Sequence, residues 1–279
     1  MSSRRAVFLD VDGTYADRGV APAGHVAAVR AARATGHLVL LCTGRPRCML
    51  PPRLLAAGFD GIVAAAGGYV EVDGVVLLDT RFPADLAERV VRVLDAHDVA
   101  YILEAPDVLL GPARAEARLR ELLGEHLDPD EPGDPADAEG PEDALAALRT
   151  ADVLTGASFG KVTVVDSPVP VEVLAAEAGP GVGALPSSIP GMGGSSGELH
   201  LVGVHKAAGI DVVGAHLGLV RHDVVAFGDG MNDVEMLEYA GVGVAIEGAH
   251  PRVLAAADRT AGGPHLEGLA TAFAELGLV

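Results

Sequence analysis

Residues 7–17 read VFLDVDGTYAD, in which two carboxylates follow a short apolar run. A continuous apolar run of this kind is typical of a strand that is buried on both faces of a parallel sheet. Asp10 and Asp12 come directly after it, one residue apart, and Gly13 and Thr14 follow. An ordinary turn needs only one such acid, and two like charges so close together repel each other. The stretch therefore predicts either an Asx turn at the end of a strand or a site that uses both acids.

Apolar runs alternate with helical patterns through the first quarter of the chain. Predicted strands cover 5–10, 37–43 and 61–67, and predicted helices cover 22–35 and 46–57. Pro22 marks the first turn of the first helix, and Gly36 marks its C-terminal end. This β-α-β-α-β order predicts an α/β fold with a doubly wound, Rossmann-like parallel sheet.

The pattern becomes irregular after residue 68. A hairpin at 69–78 has Asp73-Gly74 as its predicted turn. Predicted helices and short strands then follow without a regular order. The acidic, proline-rich segment 128–143 predicts an exposed loop, and the Gly/Ser-rich segment 186–198 predicts a mobile joint. Because the buried apolar rhythm returns after that joint, both ends of the chain are predicted to form one domain. The predicted core consists of 1–81 and 191–279, and the predicted α+β insertion covers 82–190.

The composition excludes several classes of partner. The chain has 39 acidic residues against 20 lysines and arginines, which gives a net charge of −19. Nucleic acids and anionic membranes need a basic footprint, so neither is expected as a partner. The sequence contains no apolar run of about 20 residues, the length of a membrane span, and no signal-peptide pattern. Cys42 and Cys48 fit neither a disulfide framework nor a zinc site, so a cytoplasmic protein is expected.

Four polar clusters follow predicted strands or open a helix after one. Ligands bind beyond the carboxyl ends of the strands in an open parallel sheet, so clusters at these positions are expected to converge. Each cluster alone has a structural explanation: an Asx turn, a loop, a solvated lysine or a helix cap. Their joint occurrence favours a site. The clusters are Asp10 and Asp12; Thr43, Gly44 and Arg45; Lys206; and Asp229, Asn232 and Asp233.

The residue types in these clusters indicate phosphoryl transfer. Acids gathered at one point repel each other unless a cation neutralises them, and an oxygen-rich site without histidine suits Mg²⁺. Hydroxyl, amide and ammonium donors beside such a cation form a phosphate cradle. Asp10, held at the strand end, can attack phosphorus and form an aspartyl-phosphate. Asp12 can protonate the leaving oxygen and later deprotonate water, while Lys206 offsets charge on the transferring oxygens.

These residues resemble the motifs of a known family. DVDGT (10–14), TGR (43–45), Lys206 and GDGMND (228–233) are similar to the four motifs of the haloacid dehalogenase-like phosphatases. The stretch 226–258 resembles the Cof-type subfamily, whose α/β cap lies between the second and third motifs. The resemblance implies a Mg²⁺-dependent phosphatase in which the inserted domain is a cap that sets substrate specificity.

The resemblance also implies a role for each motif residue. Asp10 corresponds to the nucleophile and a Mg²⁺ ligand, and Asp12 to the general acid and base, which coordinates Mg²⁺ through its backbone carbonyl. Asp229 aligns with a direct Mg²⁺ ligand and Asp233 with a supporting acid. The positions implied to bind phosphate are Thr43, Gly44, Lys206 and Asn232.

Two positions depart from the family pattern. Members often have leucine where Tyr15 stands, and an Asn-Gly pair where this chain has Ala66-Gly67. The second change removes an amide that could line the substrate pocket, so it bears on substrate choice and leaves the phosphoryl-transfer residues intact. In the predicted cap, Arg114, Arg118 and Lys161 are interpreted as surface cations rather than ligands.

The sequence thus favours a phosphatase of sugar phosphates or similar small phosphomonoesters, as a monomer or small homo-oligomer. A phosphomutase on the same scaffold and a non-catalytic sensor of phosphorylated metabolites are the alternatives. A nicotinamide-binding enzyme fits least, because the first strand-to-helix turn lacks GxGxxG and carries two acids that would repel a pyrophosphate.

Overall fold

The computed structural model of the chain describes residues 4–126, 139–187 and 195–279, with only the backbone at 122–126 and 139–142. The chain divides into two units. The first consists of Met1–Arg45, Leu50–Leu78 and His205–Val279, and the second of Pro46–Met49 and Asp79–Val204. No helix in the described ranges is long and apolar enough to cross a bilayer.

The described strands and helices are numbered here in chain order. Strands β1 to β14 are Ala6–Leu9, Leu38–Cys42, Gly61–Ala64, Tyr69–Val72, Val75–Asp79, Ala100–Glu104, Leu109–Gly111, Leu148–Thr150, Lys161–Asp166, Val182–Pro186, Gly197–Leu201, Val224–Gly228, Val242–Ile246 and Arg259–Ala261. Helices α1 to α10 are Ala23–Ala34, Pro52–Leu55, Ala84–Ala96, Ala113–His126, Glu139–Ala147, Val171–Ala178, Lys206–Leu217, Val234–Tyr239, Pro251–Ala256 and Gly268–Glu275.

The first unit contains an eight-stranded sheet in the order β14-β13-β12-β1-β2-β3-β4-β5. The six strands from β14 to β3 run parallel, and β4 pairs antiparallel with β3. The chain builds outward from β1 through β2 and β3 on one side, and from β12 through β13 and β14 on the other. The order therefore reverses between β1 and β12, where an open parallel sheet binds its ligands. The predicted doubly wound, Rossmann-like sheet is confirmed.

Side chains of β1 alternate between two apolar cores. Val7 and Leu9 pack on the side of α1 and α10, and Ala6 and Phe8 pack on the side of α7 and α8. All four residues are fully buried. Burial on both faces explains why the strand is apolar without alternation, and it fixes Asp10 as the first residue beyond the strand.

The second predicted helix, at 46–57, is wrong in its extent. The chain instead makes a single 3-10 turn at Arg47–Met49 and then the four-residue helix α2. Pro51 and Pro52 interrupt the pattern, because a proline lacks the N–H that a helix needs and disfavours helical geometry in the residue before it. Pro52 is accepted at the start of α2, where no partner for an N–H is required.

The second unit contains a mixed six-stranded sheet in the order β10-β11-β9-β6-β7-β8. Its pairings are antiparallel except for β7 with β8. Helices α3 and α6 pack on one face over Tyr101 and Val164, and a smaller apolar cluster that includes Ile102 and Val165 lies on the other. The inserted segment is therefore an α+β module with its own core.

Several elements of the second unit differ from expectation. Helix α5 begins at Glu139, inside the predicted acidic loop 128–143, and the rest of that loop up to 138 lies outside the described residues. The predicted joint 186–198 falls largely on 188–194, which also lie outside them. Strand β11 pairs with β9 and β10, so the sequence after the joint still belongs to the second sheet. The short strands β8 and β14 were not predicted, because three residues carry too little periodicity.

Lys161 is buried, so its interpretation as a surface cation is wrong. Only 4% of its side chain is exposed, and its Nζ lies 2.7 Å from Glu198 Oε1 and 3.3 Å from Glu104 Oε2. The two carboxylates compensate the cost of burying the ammonium group. Arg114 and Arg118 have side chains that are 33% and 30% exposed, and both form ion pairs at the surface of the unit.

His25 connects the turn after β1 to helix α10. Its Nε2 accepts a hydrogen bond from the Leu269 N–H at 3.2 Å, and its Nδ1 lies 2.9 Å from the Tyr15 carbonyl. Because Nε2 accepts, Nδ1 must carry the proton and the ring is neutral. Burial lowers the pKa of His25, and the Tyr15 carbonyl and nearby Glu267 only partly oppose this shift.

Acidification should therefore reduce stability through His25. The unfolded chain protonates this histidine near its usual pKa of about 6.5, while the folded chain keeps it neutral to lower pH. The contribution of His25 to the free energy of unfolding is therefore fully present above the pKa of the unfolded chain, and it falls as the pH drops below that pKa. Urea unfolding at about pH 7 and about pH 5 should give a smaller loss for His25→Gln than for the wild type. His216→Gln, an exposed change on α7, is the control. An equal loss in His25→Gln and the wild type would contradict the assignment.

Candidate active site

The end of β1 and the turn after it place Asp10 and Asp12. The Asp10 N–H donates to the Phe227 carbonyl of β12 at 3.0 Å, so the backbone at Asp10 is tied to the neighbouring strand. Gly13 closes the turn with φ +82°, and a side-chain carbon there would lie 2.5 Å from Asp229 Oδ2. Glycine is required because of both the backbone conformation and the close approach of the Asp229 carboxylate.

Lys206 lies between two buried carboxylates. As the first residue of α7 it is fully buried, and its Nζ donates to Asp10 Oδ1 at 2.6 Å and to Asp233 Oδ1 at 2.5 Å. A buried ammonium group is tolerated only when paired and hydrogen bonded. Three predicted site residues that are far apart in the sequence therefore meet in one cluster.

Asp229 completes this cluster at the end of β12. Thr14 Oγ1 donates to Asp229 Oδ1 at 2.7 Å, which ties the turn after β1 to the turn after β12. One carboxylate oxygen from each of Asp10, Asp229 and Asp233 lies within 4.8 Å of the others. This spacing is close to two metal–oxygen bond lengths of about 2.0–2.1 Å each for Mg²⁺. The three acids can therefore hold a divalent metal ion.

The remaining hydrogen bonds separate the roles of the three acids. Asp233 Oδ2 accepts the N–H groups of Asp229 and Gly230 at 3.0 and 2.8 Å, and its other oxygen accepts from Lys206. Both oxygens of Asp233 are thus used to fix the loop and the lysine. Within the described part of the chain, Asp10 Oδ2 and Asp229 Oδ2 accept no hydrogen bond, which leaves these two oxygens for a ligand or metal.

Burial and the neighbouring charges shift the pKa values of the residues in the cluster. Burial raises the pKa of Asp10 well above its usual value, and the neighbouring acids add to the shift while Lys206 opposes it. Burial also raises the pKa of Asp229 to about 6, against the hydrogen bond from Thr14. Burial acts to lower the pKa of Lys206, but Asp10 and Asp233 outweigh it and the pKa is raised. One ammonium group does not balance this many carboxylates, so the cluster favours a further cation.

Thr43 is fixed in the loop after β2. It is buried, its N–H donates to the Val63 carbonyl at 2.8 Å, and its Oγ1 accepts the Arg45 N–H at 3.1 Å. This leaves the hydroxyl proton of Thr43 available to a ligand. Gly44 lies between these two residues. Asn232 lies in the 3-10 turn Met231–Asp233. In the described ranges neither Thr43 nor Asn232 bonds to the acids, so their phosphate-binding roles stay predictions.

The residues after β3 adopt an unusual conformation. Ala65 and Ala66 have φ values of +48° and +53°, in the left-handed region that costs a residue with a Cβ about 1–2 kcal/mol. Their N–H groups donate to the carbonyls of Arg45 and Thr43 at 2.9 and 3.0 Å. A side-chain carbon on Gly67 would lie 2.1 Å from the His205 carbonyl, directly before Lys206. The turn thus packs between the loop after β2 and the start of α7.

Asp12 is the most exposed member of the predicted set. Half of its side chain is accessible, and both of its oxygens accept hydrogen bonds from Arg45, at 2.7 Å from Nε and 2.5 Å from Nη2. The sequence assigned no role to the Arg45 side chain or to Thr14. The order of acid, glycine and threonine at 12–14 does not reveal that Thr14 bonds across to Asp229, because that contact spans 215 residues.

Comparison with known proteins assigns the family. Residues 7–273 match the haloacid dehalogenase-like hydrolases. The chain is 26% identical to the Bacillus subtilis protein YkrA, over 99% of this chain and 98% of that protein. It is also 26% identical to a phosphoglycolate phosphatase of Methanoculleus marisnigri, over 91% and 88% of the two chains.

Two solved structures share the fold along nearly the whole chain. The sugar phosphatase BT4131 has a TM-score of 0.78 at 21% identity, covering 99% of this chain and 100% of that one. A haloacid dehalogenase-like hydrolase from B. subtilis has a TM-score of 0.80 at 19% identity, covering 98% and 99%. The chain is therefore an enzyme of the haloacid dehalogenase-like hydrolase family, as its four motifs predicted.

Proposed function

We propose that this hydrolase is a Mg²⁺-dependent phosphatase that acts through an aspartyl-phosphate on Asp10. The observation that carries the proposal is the cluster of Lys206 with Asp10, Asp229 and Asp233. In it one carboxylate oxygen of Asp10 accepts no hydrogen bond from any described residue, while its other oxygen is held by Lys206. A carboxylate fixed in this way presents a nucleophilic oxygen in one direction.

The residues of the cluster also suit Mg²⁺. Asp10, Asp229 and the backbone carbonyl of Asp12 would hold the ion, and Asp233 would support it by fixing the loop. When bound, Mg²⁺ would neutralise charge on the carboxylates and on the phosphoryl oxygens. Oxygen ligands without histidine or cysteine fit Mg²⁺ better than a softer metal.

The proposed reaction has two steps. In the first, an Asp10 oxygen attacks phosphorus, the bond from phosphorus to the ester oxygen breaks, and Asp12 gives its proton to that oxygen, which leaves as the alcohol. In the second, a water oxygen attacks phosphorus, Asp12 takes the water's proton, and the bond from phosphorus to Asp10 breaks. Inorganic phosphate is released and both aspartates return to their starting state. Lys206, Thr43, Gly44 and Asn232 would hold the transferring oxygens.

The substrate class is proposed from the relatives. The names of two of them specify phosphoglycolate and sugar phosphates. Both are small phosphomonoesters, and we propose the same class for this chain. The inserted segment, predicted at 82–190, is proposed to set which member of the class is used.

Phosphate release from a panel of phosphorylated metabolites tests the function. We expect inorganic phosphate from at least one small phosphomonoester in the presence of Mg²⁺, and none after the ion is removed by a chelator. Conversion of a substrate to an isomeric phosphate without net phosphate release would favour the phosphomutase instead. Binding of phosphorylated metabolites without any turnover over the whole panel would favour the sensor.

A further inference from the structure

The Arg45 side chain forms a forked ion pair with Asp12. Its Nε donates to Asp12 Oδ2 at 2.7 Å, and its Nη2 donates to Asp12 Oδ1 at 2.5 Å. Two parallel bonds from a planar guanidinium to both oxygens of a carboxylate fix the plane of the carboxyl group as well as its position. A single bond from a lysine would fix the position alone.

Arg45 is itself held firmly. Its side chain is only 11% exposed, its N–H donates to Thr43 Oγ1 at 3.1 Å, and its carbonyl accepts from the Ala65 N–H at 2.9 Å. Ala65 belongs to the left-handed turn after β3, and this backbone conformation is retained despite its cost. The guanidinium therefore projects from a rigid backbone, even though Arg45 stands in a loop after β2.

Asp12 needs such support more than the other acids do. Asp10 and Asp233 are buried and fixed by Lys206, whereas the Asp12 side chain is 50% exposed. A half-exposed carboxyl group without a partner changes rotamer freely, and a displacement of about 1 Å from the reacting atom can cost about 100-fold in rate. Asp12 therefore requires a partner that restricts it without blocking its function.

The forked geometry leaves room for proton transfer. A carboxylate offers about four lone-pair positions, two on each oxygen, and a forked arginine uses one position on each. One lone pair on each oxygen of Asp12 stays open to the leaving group or to water. The pair with Arg45 is thus compatible with a proton that moves to and from Asp12.

We propose that Arg45 is the positioning residue of the reaction: it orients the Asp12 carboxyl group for proton transfer to the leaving oxygen. The inference rests on the phosphatase function proposed above. In the first step Arg45 forms and breaks no covalent bond. It acts only through Asp12, which gives its proton to the ester oxygen as the bond from phosphorus to that oxygen breaks.

The proposal predicts a dependence on the leaving group. An alkyl alcohol leaves as a neutral molecule only if Asp12 protonates it, whereas p-nitrophenolate is stable enough to leave without a proton. The ratio kcat/KM covers the steps up to departure of the leaving group and excludes the later attack of water. Loss of Arg45 should therefore lower kcat/KM for an alkyl phosphate and have much less effect on p-nitrophenyl phosphate.

The experiment compares four variants of the full chain in the presence of Mg²⁺. We expect Arg45→Ala and Asp12→Asn each to lower kcat/KM for the best alkyl phosphate of the panel by about 100-fold. For p-nitrophenyl phosphate we expect losses below about 10-fold. Arg45→Lys keeps the charge without the fork and should recover only part of the alkyl loss. The matched control is Arg33→Ala, because Arg33 forms an equivalent fork with Asp60 in the same unit, at 3.0 and 2.8 Å.

The combined variant distinguishes positioning from an independent contribution. If Arg45 acts through Asp12, the double change of both residues should cost little more than Asp12→Asn alone for the alkyl substrate. Equal losses for the two substrate classes in Arg45→Ala, or losses that match those of Arg33→Ala, would overturn the proposal while leaving the phosphatase function in place. A wild-type chain that releases no phosphate from any ester would overturn the proposed function, and this inference with it.

Discussion

Replacing Asp10 with asparagine should lower phosphate release by at least about 10⁴-fold, the scale found when a catalytic nucleophile is removed. An amide does not attack phosphorus as a carboxylate does, so the first step of the proposed reaction is lost. The fold should survive. Asparagine has the same shape, and its amide oxygen can still accept the hydrogen bond that Lys206 now donates to Asp10 Oδ1 at 2.6 Å.

Steady-state phosphate release and thermal unfolding of the same preparations measure both halves of this prediction. Asp17→Asn is the control, because Asp17 is an exposed acid in the same turn and bonds through its backbone to Val20. The control should keep wild-type turnover. An Asp10→Asn chain that releases phosphate at the wild-type rate would refute the assignment of the nucleophile. A trapped phosphoryl group on Asp10 in the wild type, absent from the variant, would support it directly.

The sequence predicted the parallel sheet because its strands are buried on both faces. Ala6–Leu9 of β1 is apolar at every position, and this pattern is typical of a strand that is buried on both faces. The same reasoning places Asp10 at the carboxyl end of β1 and Asp229 just after β12, the neighbouring strand. Two acids at the ends of adjacent parallel strands must lie close together. The meeting of Asp10 with Asp229 therefore follows from the sheet topology alone.

The sequence did not predict which side chains contact each other. Nothing in the local pattern at 43–45 indicates that Arg45 reaches Asp12, because that contact spans 33 residues and the Arg45 carbonyl is bonded to the turn at Ala65 and Ala66. That turn was itself predicted as the end of a strand, since alanine rarely adopts a positive φ. The ion pairs of Lys161 were missed for the same reason: its glutamate partners stand 57 and 37 residues away in the sequence.

The cluster around Lys206 is sensitive to a change in charge. Lys206 supplies the positive charge that Asp10 and Asp233 contact directly, and all three side chains are at least nine-tenths buried. Removing one partner of a buried ion pair leaves an uncompensated charge, which costs more than the pair contributes. Stability and catalysis are therefore coupled at this residue.

Lys206→Met should accordingly lower the free energy of unfolding by about 3–5 kcal/mol near neutral pH. It should also lower phosphate release by about 100-fold or more, because the cation on the transferring oxygens is lost. Burial and mutual repulsion already raise the pKa of Asp10, and Lys206 opposes that shift. Without Lys206 the folded carboxyl groups would bind protons more tightly than the unfolded chain does. The variant should then gain stability as the pH falls from about 7 to about 5, and more so than the wild type.

The response to Mg²⁺ separates this site from other buried ion pairs, and Lys161→Met is the matched control. Lys161 also stands between two carboxylates, and burial raises the pKa of Glu104, so its removal should likewise destabilise the chain and give a gain on acidification. A divalent ion that binds the folded state in place of the missing ammonium group raises the melting temperature by mass action. We expect Mg²⁺ to raise the melting temperature of Lys206→Met more than that of the wild type or of Lys161→Met. The reason is that Asp10, Asp229 and Asp233 offer three oxygens within 4.8 Å of one another. If Mg²⁺ leaves the melting temperatures of the wild type and of Lys206→Met unchanged, the acids around Lys206 are not the metal site, and the assignment of Asp10 and Asp229 as its ligands fails.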